Sequence, residues 1–431
     1  MDPIMSIKPS HILGHNARYR YTALNSRESK KFGFSKLKTK ELLKLHNIPT
    51  AELYHVFESP DDLELVNWTN IPAPFVLKPA SGSAGKGIWV IKEKIKDKSI
   101  WIDSQGEQLE EDDLNLHVHN ILDGEFSTWG SNHKALVEEM IPSHPKLAKL
   151  SYKGTPDIRV IVFNSVPIMA MARIPTKESG GRANLDQGAI ALGIDISSGI
   201  TVHGIYGKKK IIQTFPGSKK KVRGIMIPQW TKVLEAAVLA TNVAGYKYMG
   251  ADLFIHPEKG PMIVELNGYP GLSIQIANDA GLKKRLERVE GLEVRNAQHG
   301  VKIAQALFAE VFIDESKIGV AMPIISYRPT IQVYDDKHKP HTTDALINTS
   351  RYRSAISQEL AEELGHYDIE DLLWRQKEIE GTVPVIEVEL KIKDRRFKTA
   401  MVVIKRLNRT SHKIELGRKD VQGFLVGDYE Q

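Results

Sequence analysis

Between Met249 and Gly271 the chain reads MGADLFIHPEKGPMIVELNGYPG, and three of its side chains carry the hard oxygen donors that magnesium prefers. Asp252 comes first, Glu265 follows in a strand-like PMIVELN, and Asn267 lies two residues beyond it. Side chains alternate along an extended strand, so Glu265 and Asn267 point to one face. Two carboxylates and one amide leave room in an octahedral shell for water and nucleotide phosphates. A hairpin with polar residues turned to solvent accounts for the same letters, so the metal reading depends on what the rest of the chain supplies.

A phosphate site is the first requirement. The segment SGSAGKG, from Ser81 through Gly82, Ser83, Gly85, Lys86 and Gly87, offers backbone N–H groups that no large side chain obstructs. It is not a Walker A loop, because Lys86 precedes glycine and a strand, not Ser/Thr and a helix. Lys78, just upstream in the apolar run PFVLKPA, needs an anionic partner if its strand is buried. Arg159 and Arg173 lie on DIRVIVFN and VPIMAMARIP, where a guanidinium can grip a carboxylate or phosphate through two parallel hydrogen bonds. Salt bridges to Asp157 or to the region of Glu178 are the competing use of the same arginines.

The elements that must position these groups follow from pattern. A helix is expected through SKLKTKELLKLH, with Lys36, Lys38 and Lys40 on its first turns and Pro49 beyond its end. Strands are expected at PFVLKPA, GIWVIKEK and ALVEEMI, followed by a two-stranded meander carrying Arg159 and Arg173. WTKVLEAAVLATNVA is an amphipathic helix placed before the strand pair of the metal-like stretch, and a helix from Val301 to Phe312 is expected to close the unit. The first thirty or so residues read as an arm or small cap.

A chain of 431 residues suits two or three domains. The absence of cysteine excludes disulfides, thiolate nucleophiles and cysteine-bound zinc, so a metal must sit on oxygen. No apolar run reaches the roughly 18 to 20 residues of a membrane span and the N-terminus lacks a signal-peptide pattern, so a cytoplasmic protein is expected. Basic and acidic residues are equal in number from Val320 onward, which assigns the whole formal charge of +6 to the preceding part. Lys208–Lys210 and Lys219–Lys221 with Arg223 could draw an acidic peptide or protein, or simply solvate a hairpin. No nucleic-acid-binding signature accompanies them.

In order and content, SKLKTKELLKLHNIPT, PFVLKPASGSAGKGIWVI, ALVEEMI, DIRVIVFN, MARIP, GRANLDQGA and MGADLF…IVELNGYPGL resemble the ATP-grasp superfamily, and in detail its RimK-like α-L-glutamate ligases. The resemblance implies an α+β ATP-grasp fold over residues 35–313, after a cap at 1–34, and ATP with Mg²⁺, or Mn²⁺ in its place, as cofactors. It further implies Lys36 and Lys78 on the phosphates, the glycine loop as lid, and Glu138, Glu139, Met140 and Ile141 around adenine. Asp157 falls near the ribose, Arg182 and Asn184 near the phosphates, and Asp252, Glu265 and Asn267 on magnesium. Arg173 would bind an acylphosphate and Arg159 a substrate carboxylate. The chain departs from the family in carrying Ser35 where an aspartate often precedes the first lysine, and in its short N-terminal part.

The tail offers a second resemblance. TDALINTSRYRSAISQELAEELG and IELGRKDVQGFLVGD are similar to retropepsin-type peptidases and the related ATP-dependent zinc protease family. This implies a linker at 314–326 and an all-β-rich retropepsin-like domain at 327–431. The triplet that would deliver the catalytic aspartate is Asn348-Thr349-Ser350, and an amide cannot exchange the proton that an aspartic dyad uses. The functions expected are therefore a carboxylate–amine ligase adding an amino acid such as glutamate to a peptide or protein, then a peptide-binding scaffold with an ATP-controlled switch, and last a peptidase. Self-association into a homo-oligomer stays open.

Overall fold

Two antiparallel sheets carry the first part of the chain. The computed structural model describes residues 8–33, 35–81, 85–95, 98–126, 133–207, 210–308, 323–368, 371–379 and 381–427. It divides into two units, Met1–Gly291 and Leu292–Gln431. Gly82, Ser83, Lys208, Lys209 and most of the expected linker lie outside the described residues. No helix among those described is long and apolar enough to cross a membrane.

In the first unit one sheet contains β1 (Leu53–Phe57), β2 (Phe75–Pro79), β3 (Trp89–Lys94), β4 (Ile100–Asp103), β5 (Gln108–Glu110) and β6 (Ala135–Glu139), in the order β1-β6-β2-β3-β4-β5. Its core is aromatic, with Phe57, Trp68, Phe75 and Trp101 fully or almost fully buried. The other sheet holds β7 (Asp157–Phe163), β8 (Val166–Ile174), β9 (Ile190–Ile194), β10 (Thr201–Tyr206), β11 (Lys210–Ile212), β12 (Tyr248–His256) and β13 (Gly260–Asn267), ordered β11-β10-β9-β8-β7-β12-β13. The two are joined where Ile263 N–H donates to Pro49 O and His144 N–H to Ile255 O. Helix content is likewise distributed: α1 (His15–Thr22), α2 (Arg27–Gly33), α3 (Lys36–Leu45), the turn α4 (Asp62–Leu65), α5 (Glu111–Leu122), the turn α6 (Pro145–Ala148), α7 (Trp230–Val243), α8 (Ser273–Ala277) and α9 (Leu282–Val289).

Residues 13–25 are built into this unit. Tyr21 packs edge-on against Phe163, Asn25 donates to Tyr248 O and accepts from the N–H groups of Lys247 and Tyr248, and Leu13 N–H donates to Gln275. Ser35 caps α3, its hydroxyl accepting from Lys38 N–H, a role that serine fills as well as aspartate does.

The second unit is β-rich. β14 (Ile324–Ile325) pairs with β22 (Leu425–Val426), and β15 (Thr330–Tyr334), β16 (Pro340–Ile347), β17 (Ala355–Ser357), β18 (Leu372–Glu378), β19 (Gly381–Ile392), β20 (Arg395–Ile404) and β21 (Ile414–Leu416) form one sheet. A further pairing of β15 with β19 curls that sheet back on itself around Val333, Val388, Leu390, Met401 and Ile414. The helix expected at Val301–Phe312 is α10 (Ala297–Phe308) as far as the described residues reach, and it belongs to this unit: His299 Nε2 lies 3.0 Å from the carbonyls of Leu372 and Leu373. A short helix, α11 (Gln358–Glu363), follows β17.

One close approach in the first unit positions α8. A Cβ on Gly193 of β9 would lie 2.2 Å from the carbonyl oxygen of Ala277, closer than real contacts allow, whereas one on Gly271 would meet nothing within 4 Å. Gly193→Ala is expected to cost about 1–3 kcal/mol, and Gly271→Ala to stay within about 0.5 kcal/mol of the parent. Urea denaturation compares the two, and equal midpoints would remove the packing argument.

Candidate active site

Lysines converge on one carboxylate on an inner strand of the first sheet. α3 sets Lys36 and Lys40 four residues apart on one helix face. β2 contributes Lys78 and β6 Glu138, diagonal neighbours on adjacent strands. Lys78 and Glu138 are buried, at 5% and 6% exposure, and the Lys78 ammonium donates to Glu138 Oε1. Lys40 Nζ lies 2.8 Å from Glu138 Oε2, an ion contact without hydrogen-bond alignment, and donates to Ala51 O at 2.9 Å. Lys40 and Lys78 thus share a single negative charge. Burial, with Lys78 adding to it, holds the ammonium groups of Lys36 and Lys40 below the usual lysine pKa, while Glu138 opposes this for both and Glu265 for Lys36. Burial alone would raise the Glu138 carboxyl, but Lys78 and Lys40 outweigh it and bring it below the ordinary value.

A small recess of about 30 Å³ opens beside this cluster, lined by Lys36, Thr39, Ser81 and Glu265 among others. Glu265 stands opposite Asp252 across β12–β13, and Asn267 opposite Gly250, so the three expected metal ligands do share one face of the sheet. Asp252 also stands opposite Arg159 of β7, and Asp157 opposite Arg173 of β8. That register assembles a buried row of charge. Arg159 Nε and Nη2 donate to Asp252 Oδ1 and Oδ2 at 2.7 and 2.6 Å. Arg173 Nε and Nη2 donate to Asp157 Oδ1 and Oδ2 at 2.6 and 2.5 Å, and Nη2 reaches Asp252 Oδ2 at 2.7 Å. Burial pushes the Asp157 carboxyl up to about 6 despite Arg173, with Asp252 adding repulsion. For Asp252 the same burial is outweighed by Arg159 and Arg173, and its pKa falls below the usual aspartate value.

A cavity of about 730 Å³ lies against this row. It is lined by Arg159, Met171 and Arg173 from the sheet, by Asn184 and Asp186, by the α8 region, and by residues 12–15 and Arg18 of the N-terminal segment. Asn184, expected at the phosphates, is therefore a wall of this cavity, with Oδ1 accepting from Asp186 N–H. Arg182 lies beside the described end of the glycine loop, where a Cβ on Gly85 would be 3.5 Å from its Cδ. Gly85 and Gly87 both have positive φ, 72° and 68°, which favours glycine on either side of Lys86.

In the segment expected around adenine, Glu138 turns its carboxylate to the lysines. Glu139 pairs with Lys259, Met140 N–H donates to Pro74 O, and Ile141 packs with Ala51 and Met262.

A family model described as sugar-transfer associated ATP-grasp matches residues 15–291. The chain belongs to this family. Among solved structures it is similar to D-alanine–D-alanine ligase from Bacillus anthracis, at 14% identity over 63% of this chain and 69% of that one, with a TM-score of 0.33. It is also similar to the ATP-grasp ligase PsnB complexed with minimal precursor, at 14% identity over 62% of each chain and a TM-score of 0.33. No curated protein matches.

The family match begins at residue 15, so it takes in the N-terminal segment that the sequence alone suggested was a cap. As an ATP-grasp protein the chain must make room for nucleotide phosphates, and the lysine cluster is suited to them. Of the three expected magnesium ligands Asp252 is the most engaged: a carboxylate has about four lone-pair sites, and Asp252 gives three of them to arginine. Asp157 gives two to Arg173. Sequence reasoning named Lys40 without assigning it to the site, although its spacing from Lys36 was a usable signal. Arg18 carried no local signal at all.

In the second unit Asn348 follows β16, and its Nδ2 donates to Glu415 Oε2 at 3.1 Å while its Oδ1 accepts from Ser350 N–H and Oγ–H. Glu415 is 3% exposed and also neighbours Arg351, Arg406 and His412.

Because the folded pKa of Glu138 is depressed, its contribution to stability is complete above the unfolded value near 4.5 and is lost as pH falls through the folded one. Glu138→Gln leaves two buried ammonium groups facing a neutral amide and should cost about 3–5 kcal/mol at neutral pH. The difference between parent and variant should shrink on acidification below about pH 4.5. Urea titrations across pH measure it; a difference that does not change with pH would show that Glu138 carries no charge.

Proposed function

We propose that this protein is an ATP-dependent carboxylate–amine ligase. The carrying observation is the Lys40–Glu138–Lys78 cluster, two buried cations on one carboxylate, which an anionic phosphate chain would complete. In the proposed reaction a carboxylate oxygen attacks the γ-phosphorus and ADP leaves, and an amine nitrogen then attacks the acyl carbon and expels phosphate. The lysines hold the phosphates and offset charge on the transferring phosphoryl group. Arg159 and Arg173 act as a fixed, already paired wall that orients the acyl end. Glu265 lines the recess and Asn267 lies on the same face of its strand, and both could meet a nucleotide-bound Mg²⁺, with water and phosphate supplying other ligands.

The ordered motifs that resemble RimK-like ligases support an amino acid, glutamate first, as the amine. PsnB in complex with its precursor offers an example of a peptide as partner, and the family's description associates it with sugar transfer. The second unit fits a retropepsin-like barrel that has lost its acid, which favours peptide binding over hydrolysis.

Lys78→Met keeps most of the aliphatic stem and removes a charge-assisted contact, so ATP affinity should fall about tenfold or more. Calorimetry of ATP binding checks this, and phosphate release that requires both ATP and an added amine checks the reaction itself. Phosphate release indifferent to every amine would favour the scaffold with an ATP switch.

Asn348→Asp would set a second carboxylate beside the buried Glu415 and lacks a glycine at Ser350 to form the tight turn behind it. It should leave the protein without peptidase activity from mildly acidic to neutral pH. Cleavage of a peptide library by the parent, abolished by Asn348→Ala, would overturn this part.

A further inference from the structure

Three arginines line the large cavity, and they are not equivalent. Arg159 and Arg173 already hold the carboxylates of Asp252 and Asp157. Arg18, from α1, is 4% exposed and has no carboxylate partner among the described residues. Its Nη1 donates to Pro270 O at 2.8 Å, its Nη2 lies 3.2 Å from His15 Nδ1, and the guanidinium sits 3.5 Å over the Tyr269 ring. Its buried Nε has no hydrogen-bond partner. A buried charge without a counter-ion is costly, and an anion in the cavity would relieve that cost.

The remainder of the wall describes the body of that anion. Ile12 and Ile276 line the cavity while staying 47% exposed, and Met171, Leu185 and Leu272 add apolar surface. The acidic residues that line it, Asp186 and Asp279, disfavour a second negative group. A space of this size suits a small molecule with an apolar body and one or two fixed polar ends.

We propose that this cavity binds an aliphatic monocarboxylic acid, with the carboxylate on Arg18 and the chain along Ile12, Met171 and Ile276. The assignment of that acid as the carboxylate substrate rests on the ligase reading; its binding does not. Arg18 then takes the role of carboxylate anchor that sequence reasoning gave to Arg159.

Calorimetry without nucleotide, using octanoate, butyrate, glutarate and octanamide below their aggregation limits, tests the binding. Octanoate should bind about tenfold or more tightly than the other three, since octanamide lacks the charge and butyrate the chain. Arg18→Met should weaken octanoate by a similar factor, and Ile276→Ser, at a half-exposed site that folding tolerates, should weaken octanoate while leaving butyrate unchanged. Glutarate or octanamide binding as well as octanoate, or octanoate indifferent to Ile276→Ser, overturns the proposal, and these arms hold even if Arg18→Met fails to fold. ADP formation is assayed separately: octanoate bound at Arg18 without ADP formation under any amine counts against the ligase reading alone, and ADP formation with acids that ignore Arg18 and Ile276 counts against this inference alone.

Discussion

Four charges, Asp157, Arg159 and Asp252 buried and Arg173 half-buried, alternate in sign across neighbouring strands and set the terms for everything around them. Asp157, Arg173, Asp252 and Arg159 are tolerable inside the first unit only because each meets its partners with near-ideal bidentate geometry. A slip of one residue between β7 and β8, or between β7 and β12, would turn one member of the row to the opposite face of the sheet. The row therefore pins the register of three strands. Glu265 and Asn267, one strand further out, inherit their direction from it.

That constraint divides the site into two regions of different character. On the lysine side, positive charge exceeds its local counter-charge and awaits an anion. On the cavity side, the arginines of the sheet are already satisfied, so what remains for recognition is apolar wall and the single cation of Arg18. In the proposed ligase, nucleotide and second substrate are thereby distinguished by electrostatics as well as by shape.

Much of this was legible in the chain. The apolar runs of PFVLKP and DIRVIVF, the glycines around Lys86 and the alternation of PMIVELN each reflect local rules, and the structure has strands at all three runs. Asp157, Arg159, Arg173 and Asp252 were each singled out, and a salt bridge to Asp157 was one reading of the arginines, but the pairing with Asp252 was not foreseen. Arg159 meets Asp252 across 93 residues of sequence and Arg173 meets it across 79, and only tertiary register decides whether a carboxylate faces a metal or a guanidinium. Glu138 shows a related limit: a strand-end carboxylate reads as solvent- or ligand-facing until a lysine on the adjacent strand is known to be buried with it. The allegiance of α10 is decided by what its apolar face touches, which its own periodicity does not say.

The N-terminal segment has a consequence for how the chain is made. Leu13, Arg18 and Asn25 find their partners 262, 252 and 223 residues later. During synthesis at roughly 5–20 residues per second, these first residues wait on the order of ten seconds or more outside the ribosome before Tyr248, Pro270 and Gln275 exist. Contacts of such high sequence separation form late and slow the completion of a fold. A segment translated long before its partners is thus among the last to be locked in place, and Tyr21 and Leu13 are apolar surface that a nascent chain must shield until then.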